Sequence, residues 1–274
     1  MSGKAESAKA GRPFFLYLPF TSPHYPVAPR PEFWGQGDAG GYGEFMVETD
    51  HHVGRVLDYL EKSGLDANTM IFFSSDNGPE RSWVERIEEF DHDSSGIYKE
   101  GKRSIYEGGH RVPFFVRWPR GIKEPGRSWD GLVGQIDLLS TVAEMIGAKL
   151  PSYAGEDSQS FYSVLRKANS SHKRLPLLNH AIGGRLSITE GSWKLIMPHE
   201  KLGYELYDLT RDPGEESNVF DGNPEITKRL EKKITQIVCR GRTTKGRPQS
   251  NDTGYWDDLA WLTEAEYNKS TTKN

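Results

Sequence analysis

Apolar residues in the first half of this chain occur in continuous runs, and three of these runs predict buried strands. The runs cover residues 13–20, 69–75 and 114–118. Apolar runs of this length are typical of strands that are covered on both faces. Between the first two runs, residues 42–62 carry apolar side chains at helical spacing, and Gly64 is placed to end that helix. Strand, helix and strand in this order predict a βαβ unit in which the two strands run parallel.

The pattern changes in the second half of the chain, where apolar and polar residues alternate over shorter segments. Residues 130–147 predict a helix, with Asp137 as its N-terminal cap and Gly147 as its C-terminal stop. An amphipathic helix is predicted for residues 224–238. Short alternating segments predict a small antiparallel sheet, with strands at 186–189, 193–197 and 205–209.

Composition excludes several classes of protein. The chain has 274 residues, of which 35% are hydrophobic and 27% charged, and this balance is typical of a globular protein. Its net charge of -4 provides no field that would recruit nucleic acid or an anionic membrane. No apolar run approaches the length of a membrane span, and the start of the chain lacks the apolar segment of a signal peptide. Because Cys239 is the single cysteine, an intrachain disulfide and a zinc–cysteine site are excluded.

Two polar residues, Asp76 and Asn77, directly follow the second predicted strand. In an open α/β sheet, ligands bind beyond the carboxyl ends of the strands. Carboxylate and carboxamide oxygens are ligands that suit Ca²⁺ or Mg²⁺. The alternative interpretation is a plain turn, because Asp-Asn-Gly is also a favourable turn sequence.

Two further residues, His24 and Lys102, stand on loops that the sequence makes non-helical. His24 lies in a segment with two prolines, which exclude a helix there. It is a candidate general acid, anion contact or metal ligand, and the alternative is a structural histidine in a proline-rich turn. Lys102 lies between glycines that let the backbone approach a ligand, and it is a candidate charge for binding an anion. If the predicted strands are parallel, His24 and Asp76 lie at the same edge of the sheet.

With these clusters in order, the chain resembles the type I sulfatases of the alkaline-phosphatase-like superfamily, over roughly residues 11–255. Each motif is weak alone, and their shared order makes the resemblance specific. The tail from Gly241-Arg242 to Asn251-Asp252 also looks like bacterial arylsulfatase-like members. The motifs that carry the resemblance are Pro13-Phe14-Phe15-Leu16-Tyr17, Pro23-His24-Tyr25-Pro26, Ser75-Asp76-Asn77-Gly78-Pro79, Gly101-Lys102, Tyr106-Glu107-Gly108-Gly109-His110-Arg111-Val112-Pro113, Leu206-Tyr207-Asp208-Leu209, and Asp212-Pro213-Gly214-Glu215 with Asn218.

The resemblance implies an α/β fold, which is a partial alkaline-phosphatase-like sandwich with a mainly parallel sheet between helices. A small C-terminal antiparallel sheet with a packed helix is expected beside it. Residues 11–150 would form the C-terminal part of the catalytic domain. Residues 151–240 would form the C-terminal subdomain, and residues 241–274 would form a surface tail.

The resemblance also implies a hydrolase of sulfate esters of aryl or carbohydrate compounds, with a formylglycine nucleophile and Ca²⁺, or alternatively Mg²⁺. Asp76 and Asn77 resemble the family's two later metal ligands. His24 resembles the histidine that contacts the sulfate and the ester oxygen, and Lys102 resembles the lysine that binds a sulfate oxygen. Two-metal phosphatases tend to have histidine where Asn77 stands, so the Asp-Asn pair favours a single hard cation.

The family's nucleophile segment, Cys-x-Pro/Ala-Ser-Arg, has no counterpart in this sequence, because Cys239 is followed by Arg240-Gly241-Arg242. We therefore expect the chain to be the C-terminal half or so of a sulfatase, with the nucleophile in a missing N-terminal part. It is predicted to be inactive alone, and the full-length form is expected to be periplasmic or secreted. Two alternatives are a non-catalytic binder of sulfated glycans and a phosphodiesterase or phosphonate hydrolase. The expected partner is a sulfated small molecule or glycan, without nucleic acid, and no oligomeric state is indicated.

Overall fold

The computed structural model of this protein describes residues 10–167 and 170–271, together with residues 3, 6 and 8. The chain divides into two compact units. The first unit consists of Met1–Gly96 and Pro113–Ile122. The second unit consists of Ile97–Val112 and Lys123–Asn274.

From residue 10 onward, the helices and strands of the first unit are α1 (Gly40–Lys62), β1 (Ile71–Ser74), α2 (Trp83–Phe90) and β2 (Phe114–Arg117). The predictions of α1, β1 and β2 are confirmed. Helix α1 ends as expected, because Gly64 has a φ of 70° and its N–H donates to the carbonyl of Glu61. Helix α2 lies in a polar segment for which the sequence pattern predicted no helix. Short 3-10 turns are found at Pro31–Phe33 and Asp66–Asn68.

The strands β1 and β2 pair antiparallel, so the prediction of a mainly parallel sheet is wrong for the described residues. Phe72 lies opposite Val116, and Phe73 lies opposite Phe115. The rings of Phe73 and Phe115 are 6.2 Å apart, a distance typical of a tilted aromatic pair. The second apolar run thus finds its partner in the third run rather than in the first.

The first apolar run, residues 13–20, forms no strand in the described part of the chain. The side chains of Phe15 and Tyr17 are 80% and 76% exposed, so the predicted burial on both faces is also wrong. The physical reason is that a strand exists only where another segment supplies hydrogen bonds and covers its faces.

The second unit combines a four-stranded sheet with helices. The strands pair antiparallel in chain order, which confirms the predicted antiparallel sheet and adds an unpredicted first strand, β3. The long helix confirms the amphipathic prediction for residues 224–238. The elements are α3 (Glu107–His110), α4 (Leu138–Ile146), α5 (Tyr162–Arg166), β3 (Leu177–His180), β4 (Leu186–Glu190), β5 (Trp193–Ile196), β6 (Glu205–Asp208), α6 (Pro224–Arg240) and α7 (Glu264–Thr271), with a 3-10 turn at Gln135–Asp137.

The core of the second unit lies between its sheet and α6. Ile188, Leu195 and Leu206 stand opposite one another on adjacent strands. They pack against Leu230 and Ile234 of α6, and all five side chains are fully buried. Burial of each such side chain contributes about 1.5–3 kcal/mol. Alternation along the strands turns the next residues to the opposite face, so this sheet is buried on both sides.

Helix α4 begins later than predicted, and Asp137 does not cap it. The Asp137 carboxylate forms a two-point ion pair with Arg174, at 2.7 and 2.8 Å, and both side chains are buried. It also accepts the backbone N–H of Gly134 and of Gln159. Asp137 therefore combines a local bond at the start of the preceding 3-10 turn with an ion pair to a distant residue. The predicted stop at Gly147 is confirmed by its φ of 70°.

The C-terminal segment is only partly superficial. Leu259, Leu262 and Tyr267 are buried in a cluster with Cys239 of α6, so the prediction of a surface tail from residue 241 is wrong for these side chains. The predicted domain boundaries stay predictions, and residues 168–169 and 272–274 within them lie outside the described residues. Among the helices in the described part of the chain, none combines the length and apolarity that a membrane crossing needs.

Candidate functional site

Asp76 and Asn77 lie on the loop that directly follows β1, as the sequence predicts. The loop is fixed at two points. The hydroxyl of Ser74 donates to the carbonyl of Pro113 at 2.9 Å, and the hydroxyl of Ser75 donates to the carbonyl of Asn77 at 2.9 Å. The strand end and its turn are therefore held by neighbouring groups, while Asp76 is exposed and Asn77 half-buried.

The side-chain oxygens of Asp76 and Asn77 are of the type that a hard cation binds, but two ligands are too few to complete its coordination. Neither side chain makes a hydrogen bond or ion pair within the described part of the chain, so the oxygens of both side chains are available to a ligand. Ca²⁺ takes six to eight oxygen ligands, whereas this pair supplies two. Across the described ranges, no three acidic, histidine or cysteine side chains are grouped closely enough to hold a metal. The pair can contribute to a Ca²⁺ or Mg²⁺ site, and further ligands have to come from other groups.

His24 lies on the predicted non-helical loop and is exposed. Its Nδ1 is 2.8 Å from the carbonyl oxygen of Tyr25. Because a carbonyl only accepts, Nδ1 carries the hydrogen of this bond. The other ring nitrogen, Nε2, is then left to contact a ligand.

The His24 loop is anchored on the buried face of α1. The hydroxyls of Thr49 and Ser22 are 2.6 Å apart, and the Glu48 carboxylate accepts the backbone N–H of Arg30 at 2.9 Å. Glu48 and Thr49 are each 6% exposed. Two polar residues within α1 thus fix both ends of the segment that contains His24.

Lys102 lies at the centre of a tight turn in the second unit, which we call the Lys102 turn (residues 99–106). Glu100 and Arg103 both have positive φ values, of 59° and 78°. This region of backbone conformation is unfavourable for residues other than glycine, and it persists only where the surroundings enforce it. The turn is therefore held in a strained conformation on both sides of Lys102.

Two glycines of α3 enforce this conformation by close contact with the turn. A Cβ on Gly108 would lie 2.1 Å from the carbonyl oxygen of Glu100, and one on Gly109 would lie 2.6 Å from that of Ser104. The N–H of Gly108 also donates to the carbonyl of Lys99 at 2.9 Å. Only glycine allows this approach, which explains the pair in physical terms.

Below the turn lies a buried ion cluster that the sequence analysis did not find, which we call the Lys194 triad (Glu107, Lys194 and Glu215). Lys194 of β5 is fully buried, and its ammonium lies 2.9 Å from the carboxylates of both Glu107 and Glu215. Glu215 is also fully buried, and it accepts the backbone N–H of Glu107. Burial raises the pKa of Glu215, against the opposing effect of Lys194. The motif that contains Glu107 and the motif that contains Glu215 are more than one hundred residues apart in the chain, and both contact Lys194.

A second polar network flanks the triad. The hydroxyls of Tyr106 and Tyr207 both donate to Glu205, and Arg185 pairs with the same carboxylate at 2.7 Å. Burial and the hydrogen bond to Glu205 raise the pKa of Tyr106 to about 12. Burial opposes the charge on Glu205, but the bonds from Tyr207 and Arg185 outweigh it and lower the pKa. Lys99 lies 3.9 Å from the Tyr106 ring and also donates to the carbonyl of Glu215.

His110, at the end of α3, has a buried Nε2 without a hydrogen-bond partner among the described residues. Burial, together with the charge of Lys194, lowers the pKa of His110 to about 4. The side chain is therefore neutral at physiological pH. This histidine belongs to one of the motifs that carry the family resemblance, but no role was predicted for it.

The predicted site residues are divided between the two units. His24, Asp76 and Asn77 belong to the first unit, and Lys102 belongs to the second. The loop positions of all four agree with the sequence analysis, while their roles in binding and catalysis stay predictions. The Lys194 triad could have been suspected from one signal, a lysine in the otherwise apolar strand β5.

Comparison with known proteins identifies the relatives of this chain. Residues 3–148 match the family model described as Sulfatase, and residues 96–240 match the one described as N-sulphoglucosamine sulphohydrolase, C-terminal. N-acetylgalactosamine-6-O-sulfatase of Bacteroides thetaiotaomicron is 32% identical over 83% of this chain and 48% of its own length. Steryl-sulfatase of Rattus norvegicus is 36% identical over 68% of this chain and 31% of its own length. The chain thus spans about half or less of the length of these relatives.

A solved structure leads to the same family. A Bacteroides thetaiotaomicron protein, from work on the metabolism of multiple glycosaminoglycans, has a TM-score of 0.76 and 30% sequence identity. The match covers 86% of this chain and 52% of that one. It confirms the α/β, alkaline-phosphatase-like class that the motifs indicate. The chain therefore belongs to the sulfatase family of sulfuric ester hydrolases.

Proposed function

We propose that the full-length form of this protein hydrolyses sulfate esters of aryl or carbohydrate compounds, and that this chain contributes the later part of the active site. The observation that carries the proposal is the Asp76-Asn77 pair. The pair lies on the loop after β1, and its side-chain oxygens make no hydrogen bond or ion pair within the described part of the chain. Membership of the sulfatase family supports the same reaction class.

Asp76 and Asn77 would hold Ca²⁺, or Mg²⁺ as the alternative, together with ligands from outside this pair. When bound, the cation would offset negative charge on the sulfate oxygens. The carboxylate of Asp76 contributes the anionic ligand, and the carboxamide of Asn77 contributes a neutral oxygen. Such a donor set suits one hard cation better than a two-zinc centre.

Lys102 would bind a sulfate oxygen, and His24 would contact the ester oxygen. A sulfate ester gains negative charge on its oxygens as the S–O bond breaks, so an ammonium placed there stabilises the transition state. The Tyr25 carbonyl orients His24 by holding its Nδ1 hydrogen. A protonated Nε2 would then be the group that donates to the leaving oxygen.

The formylglycine nucleophile of the family does not fit any residue of these 274. Cys239 is buried at the end of α6, and burial raises the pKa of its thiol. It also lacks the flanking Pro/Ala-Ser-Arg residues. We therefore assign no nucleophilic step to this chain. In our proposal the nucleophile comes from another part of the full-length form, since the chain spans 48% of N-acetylgalactosamine-6-O-sulfatase.

The names of the relatives support a sulfated carbohydrate or aryl compound as the substrate. One relative is named for N-acetylgalactosamine 6-O-sulfate, and another for steryl sulfate. For the full-length form we propose a periplasmic or secreted location, where such substrates would be met.

Parallel assays of the full-length form test the proposal. Rates would be measured with 4-methylumbelliferyl sulfate and with 4-methylumbelliferyl phosphate, each with and without a Ca²⁺ chelator. We expect faster hydrolysis of the sulfate and loss of activity on chelation. Faster hydrolysis of the phosphate would support the phosphodiesterase alternative. Binding of a sulfated oligosaccharide without hydrolysis would support the non-catalytic alternative.

A further inference from the structure

We propose that Glu215 is a positioning residue, which acts through Lys194 and Glu107 to hold the Lys102 turn in its strained conformation. The inference deepens the proposed function and rests on the role given there to Lys102. The residues concerned all belong to the second unit.

The backbone of Glu215 has an unfavourable conformation. Its φ is 53°, in the left-handed region that favours glycine, and Gly214 stands immediately before it. The side chain is also fully buried, which is unfavourable for a carboxyl group. Both the backbone conformation and the burial of Glu215 cost free energy. This combination indicates that its side chain has a specific structural role.

That role is visible in the contacts of its carboxylate. One oxygen lies 2.9 Å from Lys194, and the other accepts the backbone N–H of Glu107. Glu107 is the first residue of α3, so Glu215 supplies an acceptor to an otherwise unpaired N–H at the start of this helix. Lys194 in turn binds the Glu107 side chain at 2.9 Å. Helix α3 is thereby fixed to β5 and to the loop after β6.

The position of α3 determines the conformation of the Lys102 turn. Gly108 and Gly109 press against the carbonyls of Glu100 and Ser104, and the N–H of Gly108 binds the carbonyl of Lys99. A second bond attaches the turn to the loop between β3 and β4, because the N–H of Ile182 donates to the carbonyl of Arg103 at 3.1 Å. A movement of α3 would therefore release the turn first where Gly108 and Gly109 contact it.

The chemical consequence concerns the placement of a charge. A lysine ammonium on a flexible stem stabilises a transition state well only if its backbone is fixed in advance. The Lys194 triad provides that fixation without contacting a substrate. Glu215 is thus assigned to positioning and not to catalysis.

Amide hydrogen exchange in this chain tests the proposal without any assay of activity. The amides to follow, called the turn amides below, are that of Ser104 in the turn and that of Gly108 in α3, which donates to the carbonyl of Lys99. The reference amides are those of β4 and β5. Glu215→Gln keeps the shape of the side chain but removes its charge. Leu230→Ala in the core of α6 lowers the global stability without touching the triad. The two variants are compared at urea concentrations that give them equal unfolding free energies, so that only local opening differs.

We expect the turn amides of Glu215→Gln to exchange about tenfold or more faster than those of Leu230→Ala, with equal exchange in β4 and β5. Glu216→Gln, which removes the same charge from the exposed neighbouring residue, should exchange like the wild type. If Glu215→Gln does not fold, Glu215→Asp replaces it, and its turn amides should also exchange faster than those of Leu230→Ala. Equal exchange of the turn amides in the Glu215 and Leu230 variants would overturn the proposal. It would leave the proposed sulfatase activity untouched, because that activity is measured separately.

Discussion

The N–H of Gly108 donates a hydrogen bond of 2.9 Å to the carbonyl of Lys99, and this contact closes the turn that carries Lys102. The space around Gly108 is the tightest part of the turn, because a Cβ would lie 2.1 Å from the Glu100 oxygen and 2.4 Å from the Lys99 oxygen. The obstacles are backbone atoms, which cannot turn aside as a flexible side chain can.

Gly108→Ala should therefore destabilise the protein, by about 3 kcal/mol or more, since overpacking against backbone forces α3 and the turn apart. The measurement is urea unfolding. Gly54→Ala is the control, because a Cβ at this position in α1 meets no atom within 4 Å. An alanine there should raise the stability by roughly 0.5–1 kcal/mol. Equal stability of Gly108→Ala and the wild type would contradict the geometry of the turn.

The buried ion pair of Asp137 and Arg174 should respond to mutation far more than an exposed one. Asp137→Asn leaves a buried guanidinium without its counter-ion and should cost about 3–5 kcal/mol in unfolding free energy. Asp66→Asn removes the partner of Arg117 at the surface and should cost at most about 1 kcal/mol. The difference is measured by thermal or urea unfolding of the two variants. Similar losses in both would show that Asp137 acts as a simple turn residue.

His110 should make the stability depend on pH between about 4 and 6.5. Its pKa in the folded protein is about 4, below the ordinary value of 6.5, so in this range the unfolded chain binds more protons. The contribution is fully present above pH 6.5 and is lost as the pH falls toward 4, to a total of up to about 3 kcal/mol.

The test compares unfolding free energies at pH 7 and pH 4.5 in the wild type and in His110→Asn. The variant should lose less stability on acidification than the wild type. His92→Asn, at an exposed position, should keep the full dependence. The same pH dependence in the wild type and His110→Asn would refute the role given to this histidine.

A double-mutant cycle should link Glu215 to Lys102 in the full-length form. Lys102→Ala removes the proposed sulfate contact, and Glu215→Gln displaces it, so each should lower kcat/KM at least about tenfold. If Glu215 acts through Lys102, the double variant should be no slower than Lys102→Ala alone. Additive losses would show that Glu215 affects catalysis by another route. The measurement is the steady-state hydrolysis of 4-methylumbelliferyl sulfate.

The sequence predicted those elements whose signal is local. Residues 42–62 and 224–238 have helical periodicity over many turns, and their helices were found with small changes at the ends. The left-handed stops at Gly64 and Gly147 were found because glycine has a conformational reason to be there. Each of these predictions depends only on neighbours within a few residues.

The failures concern relationships between distant residues. Residues 13–20 have the composition of a buried strand, but composition does not say which segment pairs with it or covers it. The direction of pairing between β1 and β2 is likewise set by the path of the chain and not by their residues. Asp137 was expected to bond locally, and it accepts the N–H of Gly134, but its ion pair with the distant Arg174 has no local signal. The Lys194 triad joins three segments, and only the lysine in β5 hinted at it.

The most direct measurement is the Ca²⁺-dependent hydrolysis of 4-methylumbelliferyl sulfate. It compares the 274-residue chain, the full-length form and the Asp76→Ala variant of the full-length form. Asp50→Ala, at an exposed position of α1, is the control. We expect no turnover by the 274-residue chain. We expect Ca²⁺-dependent turnover by the full-length form and by Asp50→Ala, and loss of this turnover in Asp76→Ala. Multiple turnovers by the 274-residue chain alone, or full activity of Asp76→Ala, would contradict the proposed function.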